Sequence, residues 1–227
     1  RALPAPPPTQ PEPDPRQALA RWFVVACRDI GIRNPPRIRH SAAGLDIRIA
    51  RDGFKMLAAA KKDPAWRGHI VNTASMAGLL AAPNMGIYNV SKHAVVSLSE
   101  TLYQDLSLVT DQISASVLCP YFVPTGISQS HRNRPGDLPA DKPTKSQLIG
   151  QAMSDKAVGS GKVTAAEVAQ KVFDAAAAGQ FYIYSHPKAI ASVQTRMEDI
   201  MLGRNPTDPF AGKPELGAQL RAALRAD

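Results

Sequence analysis

Residues 69–92 read HIVNTASMAGLLAAPNMGIYNVSK, and the fold turns on them. HIVNTAS (69–75) is a short, mostly apolar run of the kind that forms a buried parallel strand. Residues 76–86 are rich in Gly, Ala, Pro and Asn and read as a loop. A long helix follows over 87–109, with Val95, Leu98, Leu102, Leu106 and Val109 at helical spacing to give it a core face. The stretch delivers Ser75, Tyr88 and Lys92 to one place. A hydroxyl, a phenol and an ammonium at that spacing suit proton transfer to or from an alcohol or carbonyl.

Working outward, ISASVLC (113–119) is the next strand, ended by Pro120. Strand, helix and strand in about fifty residues make a βαβ unit, which predicts parallel strands with a right-handed crossover. Upstream, FKMLAAAKKDPAW reads as the end of an amphipathic helix stopped by Asp63-Pro64. Downstream, residues 126–162 are polar and rich in Pro, Gly and Lys, and read as a long loop of functional or mobile character. Thr164-Ala-Ala-Glu167 is a capping box that opens a helix to about Ala178, with Gly179 as its stop. FYIYS (181–185) is a last short strand. Pro187 begins a further helix that Gly203 ends, and residues 214–226 form a weak one.

The first 53 residues differ from the rest. Residues 1–15 hold seven of the twenty prolines and predict polyproline II or disorder. Residues 1–52 hold nine Arg and no Lys against five acids, so they carry +4 of the net +8. All eleven Lys lie at or after Lys55. The arginines are scattered rather than aligned, which argues against a nucleic-acid arm. The expected organisation is 1–53 as a poorly ordered Pro/Arg-rich segment, 54–203 as an α/β catalytic part and 204–227 as a tail. Two cysteines, Cys27 and Cys119, give no disulfide framework or zinc cluster, and Cys119 reads as a buried free thiol. A cytoplasmic setting is expected, with no membrane span and no nucleic-acid partner.

Tyr88 and Lys92 are i and i+4 on a helix, so their side chains leave one face. A phenol is ordinarily a poor base at neutral pH, and a neighbouring ammonium favours its phenolate form. Ser75, at the carboxyl end of its strand, can hydrogen-bond a substrate oxygen and hold it near the phenol. Each residue has a plainer reading: Ser75 as a loop cap, Lys92 as a solvated lysine, Tyr88 as a core-edge ring. Together they favour a site. His93 points elsewhere on the helix. Met76, Met85 and Met153 either line a substrate pocket or fill core gaps.

These residues resemble the short-chain dehydrogenase/reductase family. The resemblance rests on a strand ending in Ser75, Tyr88 after twelve intervening residues, Lys92 four on, and PYFVPT beginning 28 residues after Lys92. It covers about residues 54–200, the second half of that family's fold. It implies a Rossmann-like doubly wound parallel sheet and NAD(P)-dependent hydride transfer between an alcohol and a carbonyl. It also implies Tyr88 as general acid/base, Lys92 holding the nicotinamide ribose, and Pro120, Val123 and Thr125 in the segment contacting the nicotinamide. The cofactor would be NAD or NADP, and the partner a small alcohol or carbonyl. Helices like 87–109 commonly form subunit interfaces in that family, which implies a homo-oligomer.

The chain departs from the family's first half. No glycine-rich turn of the form TGxxxGxG is present, and the only glycines before Gly68 are Gly31, Gly44 and Gly53. NNAG is absent, residues 54–62 lack the family's helical asparagine, and Tyr121 stands where a glycine is usual. The expectation is that residues 1–53 come from a different reading frame, with the chain a truncated member. Two functional readings therefore stand: an oxidoreductase, or a catalytically inactive remnant or interaction module.

Overall fold

The computed structural model describes residues 55–133 and 142–225. The readings made for residues 1–53, including Cys27, lie outside the described residues. The chain divides into two compact units at Trp66–Arg67. In the first, a helix (α1) runs over 55–62. Asp63 closes it: its amide donates to the Ala59 carbonyl, and its carboxylate accepts from the Ala65 amide at 2.8 Å. That turn is the stop expected at Asp63-Pro64.

The second unit contains β1 (Gly68–Thr73), α2 (Gly86–Val109), β2 (Ile113–Cys119), α3 (Lys145–Gly159), α4 (Ala165–Ala177), β3 (Tyr182–Tyr184), α5 (Ile190–Met201) and α6 (Pro214–Arg225). The strands form a parallel sheet in the order β1-β2-β3, with Gly68 paired to Ile113, Thr73 to Leu118 and Cys119 to Tyr184. β2 is central and buried at every position but Ser114, which explains its near-continuous apolar sequence. The βαβ unit is present, with α2 between its parallel strands.

Alternation along β2 divides the core. Leu118 points to a cluster with Val168 and Ala175 of α4 and Ile183 of β3. On the α2 side, the helix buries Val95, Val96, Ser99 and Leu106. This corrects the expected face: Leu98 and Leu102 are half-buried and Val109 is exposed, because the helix ends there and Thr110 turns extended. Ser99 is tolerated inside because its hydroxyl donates to Val95 O at 2.6 Å and accepts from Asn72 Nδ2 at 3.0 Å.

Residues 126–162 are not one loop. A 3-10 helix spans Gly126–Asn133, and α3 fills Lys145–Gly159. A capping box starts α3: Thr144 Oγ1 accepts from the Gln147 amide, and the Gln147 side chain accepts from the Thr144 amide. The predicted box at Thr164 and Glu167 forms in the same way at α4. Gly179 and Gly203 have φ of +67° and +61°, the left-handed conformation that ends a helix and favours glycine.

Candidate active site

Ser75 lies two residues beyond β1, in extended backbone, as the N-cap of a 3-10 turn at Met76–Gly78. Its Oγ accepts from the Ala77 amide at 3.1 Å and donates to the Pro120 carbonyl at 3.4 Å. The Met76 amide donates to the same carbonyl at 2.8 Å, and the Ala74 amide to Leu118 O at 2.8 Å. These bonds stitch the carboxyl end of β1 to that of β2, so Ser75 and Pro120 are neighbours. The capping role is therefore real. It fixes the Oγ position, while the long bond to Pro120 is the weaker of the two and the one a ligand oxygen can replace.

Tyr88 sits in the first turn of α2 and is 38% exposed. Lys92 lies one turn on, with Nζ 5.7 Å from the Tyr88 ring centroid. The ammonium also donates to the Thr73 carbonyl at 3.2 Å. Burial lowers the Lys92 pKa, and the nearby Cys119 sulfur opposes that shift. Cys119 is fully buried. Its thiol is pushed up to about 11, first by burial.

Gly78 lets this assembly close. A Cβ there would stand 2.6 Å from the Lys92 carbonyl and 2.8 Å from Val96 Cγ2. Only a glycine allows the turn that begins at Ser75 to lie directly on α2 at Lys92. The sequence shows Gly78 as one small residue among many, so the close approach was not legible there. The Thr73 carbonyl had no sequence signal at all.

The other expected residues take different places. The Val123 side chain packs against the Leu118–Ile183 cluster. Thr125 is exposed, and its hydroxyl accepts from the Ile127 amide at 3.4 Å. His93 turns away, with Nδ1 2.9 Å from the Asn89 carbonyl. Met76 is core, whereas Met85 and Met153 are exposed. The structure thus brings Ser75 against Pro120, and Tyr88 against Lys92, with Thr73 linking the two pairs. Lys92 spends one of its three N–H donors on Thr73. The others suit hydroxyl or phosphate oxygens of a ligand. Among the described residues, no group of three His, Cys, Asp or Glu side chains is placed to hold a metal, and no helix is long and apolar enough to cross a membrane.

Residues 53–136 match the family model for short chain dehydrogenases. A crystal structure of a short-chain dehydrogenase/reductase from Burkholderia phymatum in complex with NAD superposes with a TM-score of 0.70 at 48% identity, covering 74% of this chain and 58% of that one. A CLA biosynthesis dehydrogenase/reductase from Lactiplantibacillus plantarum is 33% identical over 136 residues, 58% of this chain and 47% of that protein. Human retinol dehydrogenase 10 is 36% identical over 88 residues, 38% of this chain and 26% of that protein. The chain spans about half the length of the first of these relatives and less of the second. The fold is the Rossmann-like α/β type of the Burkholderia structure, and residues 53–136 are similar to the short chain dehydrogenase family.

Proposed function

We propose that the chain carries the proton-handling part of an NAD(P)-dependent interconversion of an alcohol and a carbonyl. The observation that carries this reading is the placement of the Lys92 ammonium, 5.7 Å from the Tyr88 ring and hydrogen-bonded to Thr73, two residues before Ser75. In the oxidative direction, Tyr88 Oη accepts the proton of the substrate hydroxyl. Lys92 places a positive charge one helical turn from that phenol, with Nζ 5.7 Å from its ring. The Ser75 hydroxyl exchanges its long bond to Pro120 for one to the substrate oxygen, and so orients that oxygen toward Tyr88. In the reductive direction, Tyr88 returns the proton.

Lys92, the Pro120 and Val123 backbone and Thr125 are the residues that would hold the nicotinamide end of the cofactor, with Tyr88 beside it. Bound there, a nicotinamide dinucleotide supplies the hydride chemistry. The Lys92 ammonium, which gives one N–H to Thr73, would offer its others to ribose oxygens, and the Thr125 hydroxyl, which accepts from the Ile127 amide, would offer its O–H to the phosphate. A likeness to a relative solved with NAD supports the cofactor class and leaves NAD and NADP equal.

The test is alcohol-dependent NAD(P)H formation across a panel of secondary alcohols, comparing the chain with Tyr88→Phe. The substitution keeps the ring and removes only the acid/base oxygen. The expected loss is roughly 100-fold or more. Equal rates would remove Tyr88 from the mechanism. No turnover by either protein would favour a non-catalytic interaction module.

A further inference from the structure

The loop after β2 is held by a side chain where the sheet's backbone ladder runs out. Within the ladder, the Val117 amide donates to the Phe181 carbonyl at 2.8 Å. The Tyr121 amide repeats the same offset of 64 residues, but its acceptor is the Ser185 Oγ, at 2.9 Å. Ser185 directly follows β3 and is 2% exposed. Its Oγ is also 2.8 Å from His186 Nδ1. Since the oxygen already accepts from Tyr121, the pairing that uses each group once has the Ser185 hydroxyl donating to His186 Nδ1. The His186 ring in turn meets the Tyr121 ring edge-on, with centroids 5.8 Å apart.

The rest of the loop is gripped from other sides. A Cβ at Gly161 would lie 2.5 Å from the Phe122 carbonyl and 3.0 Å from Pro124 Cδ, so the chain before α4 lies directly on the loop. Val123 is packed into the core cluster. Without the Ser185 bond, the Tyr121 amide would be the first unpaired donor after the strand, and the loop would be free to lift at that end.

We propose that Ser185, oriented by His186, is a positioning residue: it fixes the Pro120–Thr125 loop in the geometry that engages the nicotinamide end of the cofactor. It touches neither substrate nor cofactor and acts through the Tyr121 backbone. The inference rests on the reading above, in which that loop faces the cofactor. Tyr121 stands where the resembled family usually has glycine, and here its amide and ring are both held by the Ser185–His186 pair.

The experiment pairs hydrogen exchange with NADH and NADPH titration on the full chain. In Ser185→Ala, exchange at Tyr121 and through residues 122–125 should accelerate, while β1 and α2 keep wild-type protection as a folding control. The dinucleotide Kd should rise roughly threefold to tenfold, the scale of one lost hydrogen bond. Ser185→Thr, which keeps the oxygen, should restore both readouts. Unchanged loop exchange, or faster exchange with an unchanged Kd, overturns the positioning role. If Ser185→Ala does not fold, His186→Phe carries the test: it keeps the ring contact and removes the Nδ1 acceptor, so a wild-type Kd in that variant likewise overturns the role. Absent binding by the wild-type chain is a separate outcome that sinks the functional reading, and this one with it.

Discussion

The Lys92 ammonium donates to the Thr73 carbonyl at 3.2 Å, so one side chain ties α2 to the end of β1. The same nitrogen lies 5.7 Å from the Tyr88 ring centroid. Burial disfavours the ammonium, as its lowered pKa shows, so its charge is retained at a cost. Lys92→Met should therefore change stability by less than about 1 kcal/mol, because relief of desolvation offsets the lost hydrogen bond. The rate of alcohol oxidation should fall roughly 100-fold or more. Chemical denaturation and steady-state kinetics on the same preparation check the pair. A large stability loss with an unchanged rate would make Lys92 structural.

Gly78→Ala places a methyl 2.6 Å from the Lys92 carbonyl, and backbone cannot yield as a flexible side chain would. We expect a loss of about 1–3 kcal/mol, the usual range for overpacking. The turn capped by Ser75 should be pushed off α2, so Ser75→Ala in the same background should add less than its usual cost of about 1 kcal/mol. A double-mutant cycle by urea denaturation measures this coupling.

The Cys119 thiol is neutral in the fold, with its pKa raised from 9.0 to about 11, chiefly by burial. A raised folded-state pKa gives stability that is fully present below pH 9 and is lost as pH rises from 9 through 11. The loss from this group should reach about 2–3 kcal/mol. Cys119→Ala should be less stable than wild type at pH 7, by about 1 kcal/mol from lost apolar burial. That gap should close or reverse by pH 11. Thermal or urea melts of both proteins across this range read the difference, which cancels the other titrating groups.

Tyr182 Oη donates to Glu100 Oε1 at 2.5 Å, joining β3 to α2 across the sheet face. Burial and this carboxylate both push the Tyr182 phenol pKa up. Tyr182→Phe removes the donor from a half-buried carboxylate and should cost about 1–2 kcal/mol, with partial solvation of the site limiting the effect. Glu100→Gln retains an acceptor and should cost less. Equal costs in denaturant melts would show that the carboxylate charge carries the contact.

Much of this architecture was legible in the chain because local chemistry and tertiary packing agree. ISASVLC reads as a buried strand and is the central one. Thr164 and Glu167 read as a capping box and form it. Tyr88 and Lys92 read as neighbours because helix geometry alone brings them together. The failures have physical causes. α3 reads as loop because its apolar residues show no strong period, although Thr144 and Gln147 spell the same capping box as the helix that follows. Spacing places Val109 in the core, but spacing says nothing of where a helix outruns the sheet. Gly78, Gly161 and Ser185 act through contacts with residues far along the chain, at Lys92, Phe122 and Tyr121. No local pattern can signal such contacts.

In the proposed function, Tyr88, Lys92 and the Pro120–Thr125 loop form the nicotinamide end of a working site in this chain. Titrating the purified chain with NADH and with NADPH, by the change in nicotinamide fluorescence, tests it most directly. Saturable binding of at least one of them is expected, weakened by Lys92→Met. No saturable binding of either, by a chain that gives a cooperative unfolding transition, would contradict it.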